Sequence, residues 1–248
     1  MKDRLEEAKT LKSSARAHRD FGDYAAAERD LMAAVELLRQ EEARAQHRLD
    51  AIEVDSSLDS RGTRPSPTRY ELQVAEQLAD CYGSLGGVLR REGRFQEAIR
   101  QYDLGHALET SDRYRMVNTY NTVNRLVLRL LVAPELLGGA TDVSAEQRRV
   151  VGDIDLREEL SRAAELLTAQ VDGVRREDPW ALVDKVLVHA LANRETEARQ
   201  SLADLDRIEP PASAYRSALG VMESLAALKL PHARLLDEIA EHYRSRAQ

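Results

Sequence analysis

Asn118, Asn121, Thr122, Arg125 and Arg129 recur at steps of one, three and four residues. In a helix that spacing puts them on one face. An arginine guanidinium donates a planar pair of hydrogen bonds that matches a carboxylate. An asparagine amide offers one donor edge and one acceptor edge, which suits a peptide group. A face carrying both residue types therefore has the chemistry to hold a peptide or a carboxylate. A plainer alternative stands beside it, in which a polar helix face is only solvated.

Catalytic chemistry has no comparable signature. The chain contains no G-x-x-x-x-G-K-[ST], no G-x-G-x-x-G and no H-E-x-x-H. It also lacks a G-x-S-x-G elbow. The run GSLGG at 83–87 has the glycine content of a phosphate loop, but it lies within a helical pattern and not between a strand and a helix. Cys81 is the single cysteine, so the chain cannot close a disulfide or build a cysteine-based zinc site by itself. His18, His106 and His189 have no partner at metal-ligand spacing. Neighbouring carboxylates such as Glu158 and Glu159 fall on an amphipathic helix and read as solvated. No enzymatic activity, cofactor or metal is expected.

The elements that carry these faces are helices. Aromatics make up only 4% of the chain, and Ala, Leu, Glu, Arg and Gln dominate, all strong helix formers. Charged residues reach 32%, which favours many exposed helix faces. The net charge of −7 argues against a generic nucleic-acid binder, which is usually basic. Leu126–Leu137, the most apolar stretch, is interrupted by Arg129, Pro134 and Glu135 and is too short to span a bilayer. The charged start, MKDRLEEAKTLK, has no apolar core of a signal peptide. A cytoplasmic protein is expected, and the excess of arginine over lysine with abundant alanine suggests a bacterial coding sequence of high GC content.

Apolar periodicity predicts ten helices and no strand. The expected spans are 3–20, 24–53, 68–92, 95–109, 111–133, 155–176, 179–193, 195–208, 212–228 and 231–245. Residues 54–68, rich in Ser, Pro and Gly, read as a flexible linker. Residues 134–153, with Gly138, Gly139 and Gly152, read as an irregular insertion. The whole chain, 1–248, is expected to form a single helical domain.

The segment 81–108, CYGSLGGVLRREGRFQEAIRQYDLGHAL, resembles a tetratricopeptide repeat (TPR) at nearly every diagnostic position. Tyr82, Leu85, Gly86 and Leu89 take the sites of the first helix, Gly93 and Phe95 the turn, and Ala98, Tyr102 and Gly105 those of the second. Small residues at Gly86, Ala98 and Gly105 let two helices approach, and the large ones fill the space around the crossing. Residues 8–38 and 179–210 repeat the theme with departures at Ser14, His18 and Lys185. The C-terminal half is also faintly similar to TPR-like TRAF-binding domains. The resemblance implies an all-α, antiparallel helix-pair solenoid of about ten helices, a TPR-like superhelix acting as a protein–protein interaction scaffold.

In that family ligands usually lie in a concave groove lined by the first helix of each pair. The resemblance places Lys9, Lys12, Arg16 and Arg19 there from the first pair, and Gly83, Ser84, Gly87, Arg90 and Arg91 from the second. Asn118, Asn121, Thr122, Arg125 and Arg129 follow from the third, and Asp184, Lys185 and His189 from the fourth. The result is a basic groove in an acidic chain, fitted to an acidic peptide or partner protein, with nucleic acid disfavoured as direct ligand and no membrane partner. Self-association through the ends of the array is compatible with the same architecture. Chaperone-binding members use a Lys/Asn clamp for two carboxylates; Lys12 matches one position, but Arg16 and Ser84 stand where asparagine is expected. A regulatory subunit whose arginines meet phosphates is the second reading, and a helical enzyme of unrecognised type the third.

Overall fold

The structure, a computed structural model, describes residues 2–56, 66–137, 143–228, 230 and 233–247. Its elements are all helical. In chain order they are α1 (Lys2–Asp20), α2 (Tyr24–Ser56), α3 (Arg69–Arg91), α4 (Phe95–Glu109), α5 (Tyr120–Val132), α6 (Ala145–Val151), α7 (Leu156–Asp172), α8 (Pro179–Leu191), α9 (Glu195–Arg207), α10 (Ala212–Ala226) and α11 (Ala233–Arg246). A 3-10 turn covers Pro134–Leu137. The all-α class expected from composition is therefore observed, with no strand among the described residues.

The chain divides into two compact units, Met1–Asn121 and Thr122–Gln248, where the sequence suggests one domain. The boundary carries no linker signature because it falls inside α5. The stretches that do look like breaks lie within the units. Of the expected linker, residues 57–65 lie outside the described residues, and α2 runs on to Ser56. The expected irregular insertion contains the 3-10 turn and α6, while residues 138–142 lie outside the described residues. Ser144 starts α6 with a capping box shared with Gln147, a signal too short to register as periodicity.

In the first unit α1 packs on α2, α2 on α3 and α3 on α4. Leu5 and Ala8 of α1, Ala34 and Leu38 of α2, and Val74, Leu78, Cys81 and Tyr82 of α3 share one buried cluster. Thr68 caps α3 by accepting from the Glu71 backbone N–H at 3.2 Å, while a Glu71 carboxylate oxygen accepts from the Thr68 backbone at 2.7 Å. Arg48 of α2 grips the same carboxylate with two bonds of 2.6 and 2.5 Å, so the start of α3 is tied to α2. Arg48 above all, with the Thr68 bonds, holds Glu71 down to about pKa 2.

Three turns have one design. Phe21–Asp23, Glu92–Arg94 and Ala192–Arg194 each join two helices and place the middle residue in the left-handed region, at Gly22, Gly93 and Asn193. In each, the third residue's N–H reaches back five residues, to the carbonyls of His18, Leu89 and His189 at 2.9, 3.0 and 2.9 Å. This is the Schellman closure, which needs Gly or Asn at that position. The helix pairs expected from 8–38, 81–108 and 179–210 thus end their first helices identically.

Small residues do open the close approaches, but not all as expected. A Cβ on Gly86 would lie 2.8 Å from the Tyr102 ring, so Gly86 does admit α4. Gly105 instead makes room for Asn121: a Cβ there would come within 2.3 Å of its side chain. A Cβ on Gly83 would lie 2.8 Å from the Tyr120 ring, so Gly83 makes room for that side chain. The α5 helix starts at Tyr120 and not near Ser111, because Arg115 takes the left-handed region and breaks the helical path, and Asn118 turns the chain into α5. Its side-chain oxygen accepts from the backbone of Thr119 at 2.8 Å and Tyr120 at 3.2 Å.

In the second unit α7 packs on α8, α8 on α9, and α10 on α11 and α8. Asp155 and Asp178 cap α7 and α8. Pro179 occupies the first turn of α8, where its missing N–H costs nothing. Trp180 is 47% exposed. It sits four residues before Asp184, on the less buried side of a helix whose remaining faces are packed.

Candidate functional site

The first unit carries an open groove of about 550 Å³ between α1 and α3. Lys9, Lys12, Arg16 and Arg19 line it along α1, and Gln77 and Ser84 line it along α3. Ala15, Leu31 and Val88 add an apolar floor. The four cations are three, four and three residues apart, which keeps them in one row. Leu5, four residues before Lys9, heads the same row but is buried in the core, so the cations take over where α1 emerges from it.

Each cation leans on a carboxylate. Lys12 Nζ lies 2.5 Å from Asp80 of α3, and Lys9 Nζ 2.8 Å from Glu6. Arg19 bonds Asp20 at 2.8 Å, and Arg16 approaches the same residue at 4.0 Å. The Arg19 hydrogen bond, supported by the charges of Arg19, Arg16 and Arg91, holds the Asp20 carboxyl below its ordinary value. The Arg16 side chain remains 78% exposed. Such exposed pairs contribute little, roughly 0–1 kcal/mol. An incoming carboxylate can replace one at small cost.

The other residues expected in a groove have different surroundings. Gly87 is buried in α3 and its carbonyl accepts from Arg91 at 3.1 Å. Arg90 is half-buried and Arg91 exposed at the end of the same helix. Asn118 turns the chain into α5, as described. Asn121 is fully buried, and its amide donates to the Ala79 carbonyl at 3.0 Å and to Glu109 at 2.9 Å. Glu109 also accepts from the Asn121 backbone at 2.9 Å, closing a buried knot over Gly105.

In the second unit the expected groove cations are buried. Arg125 forms a short ion pair with Glu159 of α7. Arg129 donates to the Val151 carbonyl at 2.8 Å and to the Arg125 carbonyl at 3.3 Å. Thr122 is also buried. Lys185, 7% exposed, reaches Asp172 of α7 at 3.4 Å. His189, one turn further on, meets Thr168 at 3.2 Å. Burial, with Lys185 and Arg194 nearby, pushes the His189 imidazole below its ordinary pKa. These groups tie α5 and α8 to their neighbours and leave no cationic row.

Sequence reasoning missed Gln77, Leu31, Val88 and Asp80. Gln77, Ser84 and Val88 are seven and four residues apart, so their shared face was legible as spacing. Nothing local announces the Lys12–Asp80 pair, which joins residues far apart in the chain.

A second cavity, of about 760 Å³, lies in the other unit over Val171, Leu182 and Ile208. Its rim mixes Arg176 and Arg207 with Asp172, Glu177 and Asp204. Burial pushes the Cys81 thiol up to about pKa 12, so it is not a nucleophile at neutral pH. No group of three His, Cys, Asp or Glu side chains able to hold a metal occurs among the described residues. No described helix is long and apolar enough to cross a membrane. No protein-family model matches the chain, and no curated protein matches it significantly.

Proposed function

We propose that the chain is a TPR-like, non-catalytic interaction module that holds an acidic peptide segment of a partner protein between α1 and α3. The observation that carries this reading is a row of four exposed or half-exposed cations beside an apolar floor. Cations select and steer acidic ligands, and their aliphatic stems over the closed apolar floor supply contact that a purely electrostatic site lacks. The three matching turns, and the tyrosine–glycine crossing of α3 and α4, support the TPR-like assignment.

The test is fluorescence anisotropy with a labelled peptide that alternates glutamate and leucine. Wild type is compared with a Lys12→Glu, Arg16→Glu double variant whose melting curve is checked first. The expected result is saturable binding by wild type, weakened about tenfold or more in the variant, a change of ~1.4 kcal/mol. Equal binding by both proteins would remove the site from this groove. Preference for a single-stranded oligonucleotide, with steep loss in salt, would favour a phosphate ligand instead.

A further inference from the structure

The groove constrains the conformation of what it binds. Lys9, Lys12, Arg16 and Arg19 rise along α1 by about 4.5, 6 and 4.5 Å at 1.5 Å per residue. An extended peptide presents same-face side chains about 6.8 Å apart, so its acids would drift out of step with this row. A helix lying along α1 presents residues spaced three, four and three apart at the same rises as the cations. The floor agrees with this choice. Ala15 and Val88 are nearly fully buried, and Leu31 reaches the groove from α2 behind them. They expose little surface themselves, and the aliphatic stems of Lys12, Arg16 and Arg19 beside them supply the apolar strip that complements an amphipathic face. Gln77 and Ser84 line the far wall with neutral polar groups, and Asp80 beside them pairs with Lys12, so the cations lie on the α1 side only.

We infer that the groove takes an amphipathic acidic helix, lying along α1 with its carboxylates facing Lys9, Lys12, Arg16 and Arg19 and its apolar stripe on Ala15, Leu31 and Val88. This rests on the acidic-ligand reading above and adds the ligand's conformation. Binding exchanges the exposed pairs to Glu6, Asp20 and Asp80 for pairs across the new interface. Arg16, the most exposed of the four, has the least to give up.

Two labelled peptides of about 18 residues and identical composition test it, a length that can form a helix on a surface. One spaces its glutamates three, four and three apart beside a leucine stripe. The other places them at every second residue. The full chain is titrated with each, and peptide helicity is read by circular dichroism. The in-phase peptide should bind about tenfold tighter and gain helicity on binding. Arg16→Glu should weaken it, and a lysine in place of the facing glutamate should restore binding to that variant. Equal affinity for the two peptides, or binding without gain of helicity, would overturn the helical ligand and leave the acidic-ligand reading standing. Binding of neither peptide, or tighter binding of a single-stranded oligonucleotide, would overturn both. Arg16→Ala keeps the outcome readable if the charge reversal disturbs α1.

Discussion

Lys12 and Arg16 in the first unit, and Arg125 and Arg129 in the second, come from similar polar helix faces. Their surroundings are opposite. The first pair stands beside an open groove with exposed carboxylates as replaceable neighbours. The second pair is 6–7% exposed and bonded to Glu159 and to backbone carbonyls. A buried guanidinium must have its partners satisfied within the fold, or it costs several kcal/mol. An exposed one adds little to stability and stays available. The same residue type therefore serves cohesion in one unit and stays exposed beside a groove in the other, and burial decides which.

The sharpest way to break that comparison is to truncate one member of each pair. Arg125→Ala should destabilise the second unit by about 3 kcal/mol, the low end for breaking a buried pair because Glu159 keeps some solvent. Arg16→Ala should change stability by less than about 0.5 kcal/mol. Urea unfolding of both variants checks this, and similar losses would erase the distinction.

Glycine gives a second contrast, inside the first unit. Gly105→Ala forces a Cβ into the buried Asn121 side chain and should cost about 2 kcal/mol. At Gly87 a Cβ would meet nothing closer than 3.6 Å, so Gly87→Ala should be neutral or stabilise by up to ~1 kcal/mol through helix propensity. Thermal melts of the two variants decide it.

Acid should separate the units. Glu71 has a depressed carboxyl pKa, so its contribution is present above the unfolded value of 4.5 and is lost as pH falls from there towards 2. His189 is held neutral by burial, whereas the unfolded chain takes up a proton near pH 6.5. The second unit should therefore weaken first, as pH drops below 6.5, by at most ~1.4 kcal/mol per pH unit. Hydrogen exchange followed by peptide mass spectrometry reads the two units separately, and His189→Gln should flatten the slope between pH 7 and 5.5.

The smallest effect concerns salt. Raising ionic strength from about 0.05 to 0.5 M should weaken acidic-peptide binding several-fold and leave the Arg125–Glu159 contribution nearly unchanged, because screening acts on exposed charges.

Much of the fold was legible because it is local. Helix spans follow from periodicity, and Asp178-Pro179 and Gly93 mark their ends by chemistry that needs no tertiary context. The late start of α5 was not legible. Asn118 is equally good on a helix face and in a turn, and nothing local announces that Arg115 leaves the helical region just before it. The unit boundary was hidden for the same reason, since α5 continues through it. Of the groove, the α1 row was legible as spacing. The fates of Arg125, Arg129 and Lys185 were not, because a polar stripe looks alike whether it meets water or the carboxylates and carbonyls of a neighbouring helix.

The most direct test of the central claim is zero-length carbodiimide cross-linking of an acidic peptide to the chain, with adducts mapped by mass spectrometry. The chain has few lysines, and the groove residues Lys9 and Lys12 are far along the chain from the buried Lys185. Adducts at Lys9 and Lys12, absent at Lys185 and suppressed by Arg16→Glu, are the predicted result. Saturable peptide binding with adducts confined to other lysines would contradict it.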